Sequence, residues 1–210
     1  MKMIIFDLDG VLVDACEWHR VALNNALKEV CDYEISLEDH YSKFNGIPTR
    51  VKMNILTKDN IINECDHERI YFLKQKNTVT MIEEMAQMRQ EKIDLMVWLR
   101  RQGYVVACFT NSIRETATIM LEKTGILDYF DLVVANQDVT VPKPSPEGYE
   151  KVMSHFKIDK NSVMIVEDSP KGIESATASG CKVMRVKNPD YVTINNIKEF
   201  IDENFNTDGG

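Results

Sequence analysis

The chain of 210 residues opens on an apolar run, Ile4 to Leu8, that breaks at Asp7-Leu8-Asp9-Gly10. A short apolar run stopped by turn-forming residues reads as a buried strand. A second small run, Val11-Leu12-Val13, follows. From roughly 14 to 60 the texture is charged and helical, with a break near Gly46-Ile47-Pro48. A further helical stretch is predicted from about 63 to 101, where Gly103 supplies the C-terminal stop. The rhythm then changes. Strand-like runs at 104–109, 131–135, 162–166 and 182–186 alternate with helical spacings. Those spacings are Ile113, Ala117, Met120 and Leu121, then Tyr149, Val152, Met153 and Phe156, then residues 171–180. Strands alternating with helices imply a parallel sheet covered on both faces. The tail from 204 to 210 is polar and expected to fray.

One interval does not fit the alternation. About seventy residues, 14 to 83, separate the first strand from the remaining units, far beyond ordinary connection lengths. They are either extra packing helices or an inserted helical cap over the carboxyl edge, where open α/β sheets bind ligands. The pattern alone leaves both open.

Charge narrows the field of partners. Lys and Arg number 25 against 33 Asp and Glu, a formal net charge of −8. Nucleic-acid and anionic-membrane binding both need clustered positive charge, so neither is expected as the main activity. No apolar run approaches a membrane span, and Met1 to Phe6 runs into Asp7 without a signal-peptide pattern. A cytoplasmic protein, monomeric or weakly dimeric, is the expectation. The five cysteines form no C-x-x-C pair, and the four histidines show no metal-ligand spacing.

The chemistry-bearing residues lie at the predicted strand ends. The first strand ends in Asp7-x-Asp9, the next in Thr110-Asn111-Ser112, and a later one in Glu167-Asp168-Ser169. Lys143 stands within Pro142-Lys143-Pro144-Ser145-Pro146. Parallel strands bring their carboxyl ends to one edge, so four carboxylates, an ammonium, two hydroxyls and an amide can converge. Taken singly, each has a plainer reading. Asp-Leu-Asp-Gly is a good turn, Thr-Asn-Ser a good helix cap, Lys143 a solvated loop residue, and Glu167-Asp168 a cap for the next helix. Together they suit phosphoryl transfer. Clustered carboxylates repel one another unless a hard divalent cation such as Mg²⁺ sits among them. Such an ion with a lysine offsets the charge that would repel a carboxylate nucleophile from a phosphoryl group.

Through four motifs the chain resembles the haloacid dehalogenase superfamily. They are Phe6-Asp7-Leu8-Asp9-Gly10-Val11-Leu12, Thr110-Asn111-Ser112, Lys143-Pro144, and Val166-Glu167-Asp168-Ser169 running on to Ala178-Ser179-Gly180. The resemblance implies a doubly wound, Rossmann-like parallel sheet core (1–14 and 84–210) with an inserted all-helical cap (15–83), similar to phosphatases of the β-phosphoglucomutase branch. It implies that Asp7 is the nucleophile and forms a phosphoaspartyl intermediate, while Asp9 protonates the leaving oxygen and then activates water. Thr110 and Lys143 would bind the phosphoryl group, with Asn111 and Ser112 assisting. Mg²⁺ would be held by Asp7, Asp168, the backbone carbonyl of Asp9, and Glu167 directly or through water.

In the cap, His19 matches a hinge histidine, though a surface histidine is an equal alternative. Gly46 and Arg50 belong to a loop resembling the substrate-facing one, and Lys74 is a further candidate. The implied activity is hydrolysis of a small phosphorylated metabolite, a sugar phosphate or related phosphoester. The alternatives are a sugar phosphomutase, disfavoured by Thr110-Asn111-Ser112 and by Ala15 where mutases carry threonine, and a non-catalytic phosphate- or partner-binding relative.

Overall fold

The computed structural model describes residues 1–205; the expectation of a frayed tail falls partly on residues outside these, while 204 and 205 close the last helix. The first strand, β1 (Met3–Phe6), is followed by α1 (Cys16–Cys31) and α2 (Leu37–Asp39), which runs on as a π turn over His40–Phe44. Then come α3 (Thr49–Lys58), α4 (His67–Met85), α5 (Gln90–Arg101), β2 (Val105–Phe109), α6 (Arg114–Lys123) and β3 (Leu132–Val134). The chain ends with α7 (Glu147–Phe156), β4 (Val163–Glu167), α8 (Pro170–Ala178), β5 (Lys182–Arg185) and α9 (Ile194–Phe205). Two compact units result: Met1–Asp14 with the chain from Gln87 onward, and Ala15–Ala86.

The first unit holds one five-stranded, all-parallel sheet in the order β3-β2-β1-β4-β5. β1 is central because every residue in it is apolar and buried, as a strand covered on both faces requires. Met3 and Ile5 face one side, clustered with Ala107, Phe109, Val163 and Ile165 against Tyr149, Val152 and Met153 of α7 and Ala176 of α8. Ile4 and Phe6 point the other way by the strand's two-residue period, and they are equally buried. Burying side chains of this size contributes about 1.5–3 kcal/mol each.

β1 ends two residues earlier than its apolar run. Asp7 N–H still reaches the Val166 carbonyl at 3.0 Å, but the Leu8 carbonyl is taken by the amides of Leu12 (2.9 Å) and Val13 (3.1 Å). A tight turn thus replaces the ladder.

The second unit is wholly helical. Leu23, Ala26 and Leu27 of α1 pack with Ile35, Phe44, Met53, Leu56, Ile62 and Ile70. Buried Asn24 pins the segment entering α2: its Nδ2 donates to the Ile35 carbonyl at 3.0 Å, and its Oδ1 accepts from Ile35 N–H at 3.1 Å. The helical stretch expected over 63–101 is helical but interrupted. A 3₁₀ turn (Glu64–Asp66) comes first, and the chain turns extended at Ala86 (ψ 126) and Arg89 (φ −115, ψ 115). Lys92 and Ile93 then donate to the Arg89 carbonyl and a new helix starts.

Candidate active site

The strand register sets the site. Phe6 is level with Cys108 on one side and Val166 on the other, so β1, β2 and β4 finish together and their following residues emerge at one edge. This is where strand order reverses direction around β1, the usual ligand crevice of such sheets. Asp7, Glu167 and Asp168 each bring a carboxylate oxygen to within 4.8 Å of the others. Lys143, only 3% exposed, reaches them from the loop beyond β3. Its Nζ donates to Asp7 Oδ1 at 2.6 Å and to Glu167 Oε1 at 2.5 Å. The Lys143-Pro144 peptide is cis. The solvated-loop reading of Lys143 is therefore wrong.

Glu167, fully buried, has both oxygens engaged. Oε1 accepts from Lys143 and from Tyr149 Oη (3.2 Å); Oε2 accepts from the amides of Asp168 (2.9 Å) and Ser169 (3.1 Å) and from Ser169 Oγ (3.3 Å). Asp168 differs. Its Oδ1 is buried with no hydrogen-bond partner among the described residues. Burial, then Glu167, push the Asp168 carboxyl up to about 7 against the pull of Lys143. Burial also raises the Asp7 carboxyl well above the carboxylate range; Lys143 opposes this, while Glu167, Asp168 and Asp9 add to it. For Lys143 the balance is reversed. Burial works against its charge, but Asp7 and Glu167 hold its pKa well above the usual lysine value.

Asp9 is oriented from β2's end. Its Oδ2 accepts from Ser112 Oγ at 2.8 Å and from Thr110 Oγ1 at 3.4 Å. Thr110 Oγ1 in turn accepts from Ser112 N–H at 2.9 Å. Asn111 latches the lysine loop, its Oδ1 accepting from Lys143 N–H at 3.0 Å and its Nδ2 donating to the Lys143 carbonyl at 3.4 Å. Thr-Asn-Ser does not cap the next helix, because the cap position falls on Ile113. For Glu167-Asp168 the capping reading is displaced by one residue: Ser169 Oγ accepts from Gly172 N–H at 3.1 Å.

Two glycines make room. Gly10 has φ +91, and a Cβ there would overlap the Asp168 carboxylate; a Cβ on Gly172 would overlap that of Glu167.

The cap candidates all fall in the helical unit. His19 Nδ1 lies 3.3 Å from Lys74 Nζ, so α1 and α4 bring these two together. Arg50 is exposed on α3, its guanidinium 5.5 Å from the centre of the Tyr71 ring, and Gly46 (φ +75) turns the chain ahead of α3. Phe109 and Tyr149, whose rings lie 4.8 and 5.3 Å from Lys143 Nζ, were not among the site residues expected from sequence. Both read there only as apolar positions of a strand and a helix, and nothing local marks a ring that will meet a distant ammonium.

A Rossmann-like core with acidic strand tips around a buried lysine fits the family that the sequence motifs resemble. Comparison with known proteins agrees. The family model described as haloacid dehalogenase-like hydrolase matches residues 4–186. A phosphoglycolate phosphatase of Nitrosospira multiformis is 29% identical over 193 residues, covering 89% of this chain and 83% of that protein. The pyrophosphatase PpaX of Bacillus velezensis is 27% identical over 191 residues, covering 87% and 82%. Among solved structures, a β-phosphoglucomutase of Clostridium difficile superposes with a TM-score of 0.82 at 20% identity, over 97% of this chain and 98% of that one. The chain belongs to the haloacid dehalogenase-like hydrolases. It is an enzyme, a hydrolase of that family, and no described helix is long and apolar enough to cross a membrane.

Proposed function

We propose that the enzyme is a Mg²⁺-dependent phosphatase that hydrolyses a small phosphorylated metabolite, a sugar phosphate or related phosphoester, through a phosphoaspartyl intermediate on Asp7. The carrying observation is the gathering of the Asp7, Glu167 and Asp168 carboxylates within 4.8 Å of one another, with the buried Lys143 ammonium bonded to Asp7 and Glu167. The donor set fits the metal: it is all oxygen, self-repelling and partly desolvated, as a hard cation favours. Asp7, Asp168 and the Asp9 backbone carbonyl would hold it, with Glu167 alongside. Bound Mg²⁺ would offset negative charge on the phosphoryl group and its attacker.

The side chains then divide the work. Lys143 fixes one Asp7 oxygen and favours the ionised, nucleophilic form against its desolvation. Asp7 attacks phosphorus, its bond to phosphorus forming as the bond to the leaving oxygen breaks. Asp9, oriented by Ser112 and Thr110, gives its proton to that oxygen. In the second half Asp9 takes a proton from water, whose oxygen attacks phosphorus, and the Asp7 carboxylate leaves with inorganic phosphate released. Thr110 and Lys143 bind the non-transferring oxygens, with Asn111 and Ser112 supporting them. His19, Gly46, Arg50 and Lys74 of the helical unit are the candidates for choosing among substrates. The relatives named for pyrophosphate and phosphoglycolate favour an anionic small molecule. Cytoplasmic residence and a monomeric or weakly dimeric state complete the reading.

The test is p-nitrophenyl phosphate hydrolysis with and without Mg²⁺, then a panel of phosphorylated metabolites read by phosphate release. Glucose 1-phosphate isomers are included, with a 6-phosphate product assay. Metal-dependent release is expected. Folded protein with no turnover, or isomer formed faster than free phosphate, overturns the reading.

A further inference from the structure

Lys143 is held by more than its two carboxylates. Its Nζ lies 4.8 Å from the centre of the Phe109 ring and 5.3 Å from that of Tyr149, and the two rings meet edge to face, centroids 4.9 Å apart at 90°. Phe109 and Tyr149 are fully buried, and Lys143 is 97% buried, the complement of its 3% exposure. At such sites the ring face attracts an ammonium more strongly than at the surface, because water no longer competes for it. The Tyr149 hydroxyl adds a directional contact, donating to the same Glu167 oxygen that accepts from Lys143. The local sequence is built for this approach. Gly148 faces the Phe109 ring so closely that a Cβ would overlap it, which lets the first turn of α7 bring Tyr149 against the ring.

The consequence concerns how the lysine is shared. Asp7 and Glu167 compete for one ammonium at nearly equal distances, 2.6 and 2.5 Å. A second donor on Glu167 Oε1 satisfies part of that oxygen's charge and weakens its claim on Lys143. Both buried rings also lie against the ammonium, 4.8 and 5.3 Å from it, and leave that flank closed to water.

We infer that Tyr149, with Phe109, is a positioning residue: its hydroxyl on Glu167 and the paired rings hold the Lys143 ammonium toward Asp7 and the phosphoryl group. Neither residue touches the reacting atoms. The inference rests on the proposed phosphatase reading for its meaning, but phosphate binding tests it without turnover.

Inorganic phosphate is titrated calorimetrically into the full chain with Mg²⁺ present, for wild type, Tyr149→Phe, Tyr149→Leu and Phe109→Leu. Tyr149→Phe removes only the hydroxyl and is expected to weaken phosphate binding about fivefold. Tyr149→Leu, which also removes a ring, is expected to weaken it by more than tenfold, with Phe109→Leu between them. A merely structural role would lower the active fraction or the melting temperature and leave the dissociation constant of the folded protein unmoved. Wild-type affinity in Tyr149→Phe and in folded Phe109→Leu overturns the inference, as does wild-type protein that binds no phosphate. Phosphate binding graded as expected, in protein with no phosphatase activity, would uphold the inference while overturning the reading it builds on.

Discussion

Replacing Lys143 by Met isolates the electrostatics of the site from its chemistry. Met keeps the length and the apolar contact with the rings but deletes the ammonium 2.6 Å from Asp7 and 2.5 Å from Glu167. Asp7 is 7% exposed and Glu167 wholly buried, so neither gains water in exchange. Removing one partner of a buried ion pair costs about 3–5 kcal/mol. Glu167 retains its contacts with Tyr149, Asp168 and Ser169, which places the expectation near about 4 kcal/mol. With a urea dependence of about 2 kcal/mol per molar, the unfolding midpoint falls by about 2 M. Glu167→Gln alone removes one of the two negative charges facing Lys143 and is expected to cost about 2–3 kcal/mol. In the Lys143→Met background the same change removes an uncompensated charge and costs almost nothing. The coupling energy is therefore about 2–3 kcal/mol, read from four urea curves by far-UV circular dichroism at neutral pH. Additivity within about 0.5 kcal/mol would refute the shared-ammonium account.

Other expectations follow from the same geometry. Asp9→Asn keeps an acceptor for Ser112 but moves no proton, so turnover of p-nitrophenyl phosphate should fall by about 10²–10⁴; an unchanged pH–rate profile dismisses its acid–base role. Gly10→Ala must leave φ +91 or displace the Asp168 carboxylate, so it should lose at least about 1–2 kcal/mol of stability together with Mg²⁺ affinity by titration; wild-type values for both dismiss the cradle. In the helical unit, His40 is 2% exposed, both ring nitrogens lack hydrogen-bond partners among the described residues, and its pKa is pushed down to about 4, by burial first and then by Lys52 and Arg20. Glu17 opposes that shift and His19 adds to it. Because the folded value lies below that of a free histidine, this contribution is complete above about pH 6.5 and is lost as pH falls toward about 4. Its ceiling is roughly 3 kcal/mol. His40→Phe should flatten that stretch of the stability–pH curve, and a parallel curve rejects the assignment.

Much of the core was readable because its signals are local. A buried central strand needs uninterrupted apolar residues, and Met3–Phe6 supplies them; acids placed just after such strands must share an edge once the sheet is parallel. The motif residues therefore meet as expected, with Asp7, Lys143, Glu167 and Asp168 in one network and Asp9 beside Thr110 and Ser112. What escaped is what tertiary contact decides. The break at Ala86–Arg89 contains neither Gly nor Pro, so helical texture ran straight through it. The carboxamide of Asn111 also spans the Lys143 backbone, a contact across 32 residues that no local pattern announces. Tyr149 carried a helix period and hid a hydroxyl aimed at Glu167, 18 residues on at the end of the next strand.

The most direct measurement looks for the covalent intermediate itself. Enzyme turning over p-nitrophenyl phosphate with Mg²⁺ is acid-quenched, reduced with borohydride, which converts an acyl phosphate to an alcohol, and mapped by peptide mass spectrometry. The expected result is homoserine at position 7 in the wild type and none in Asp7→Asn. Rapid turnover with an unmodified Asp7, or reduction at any other carboxylate, would contradict it.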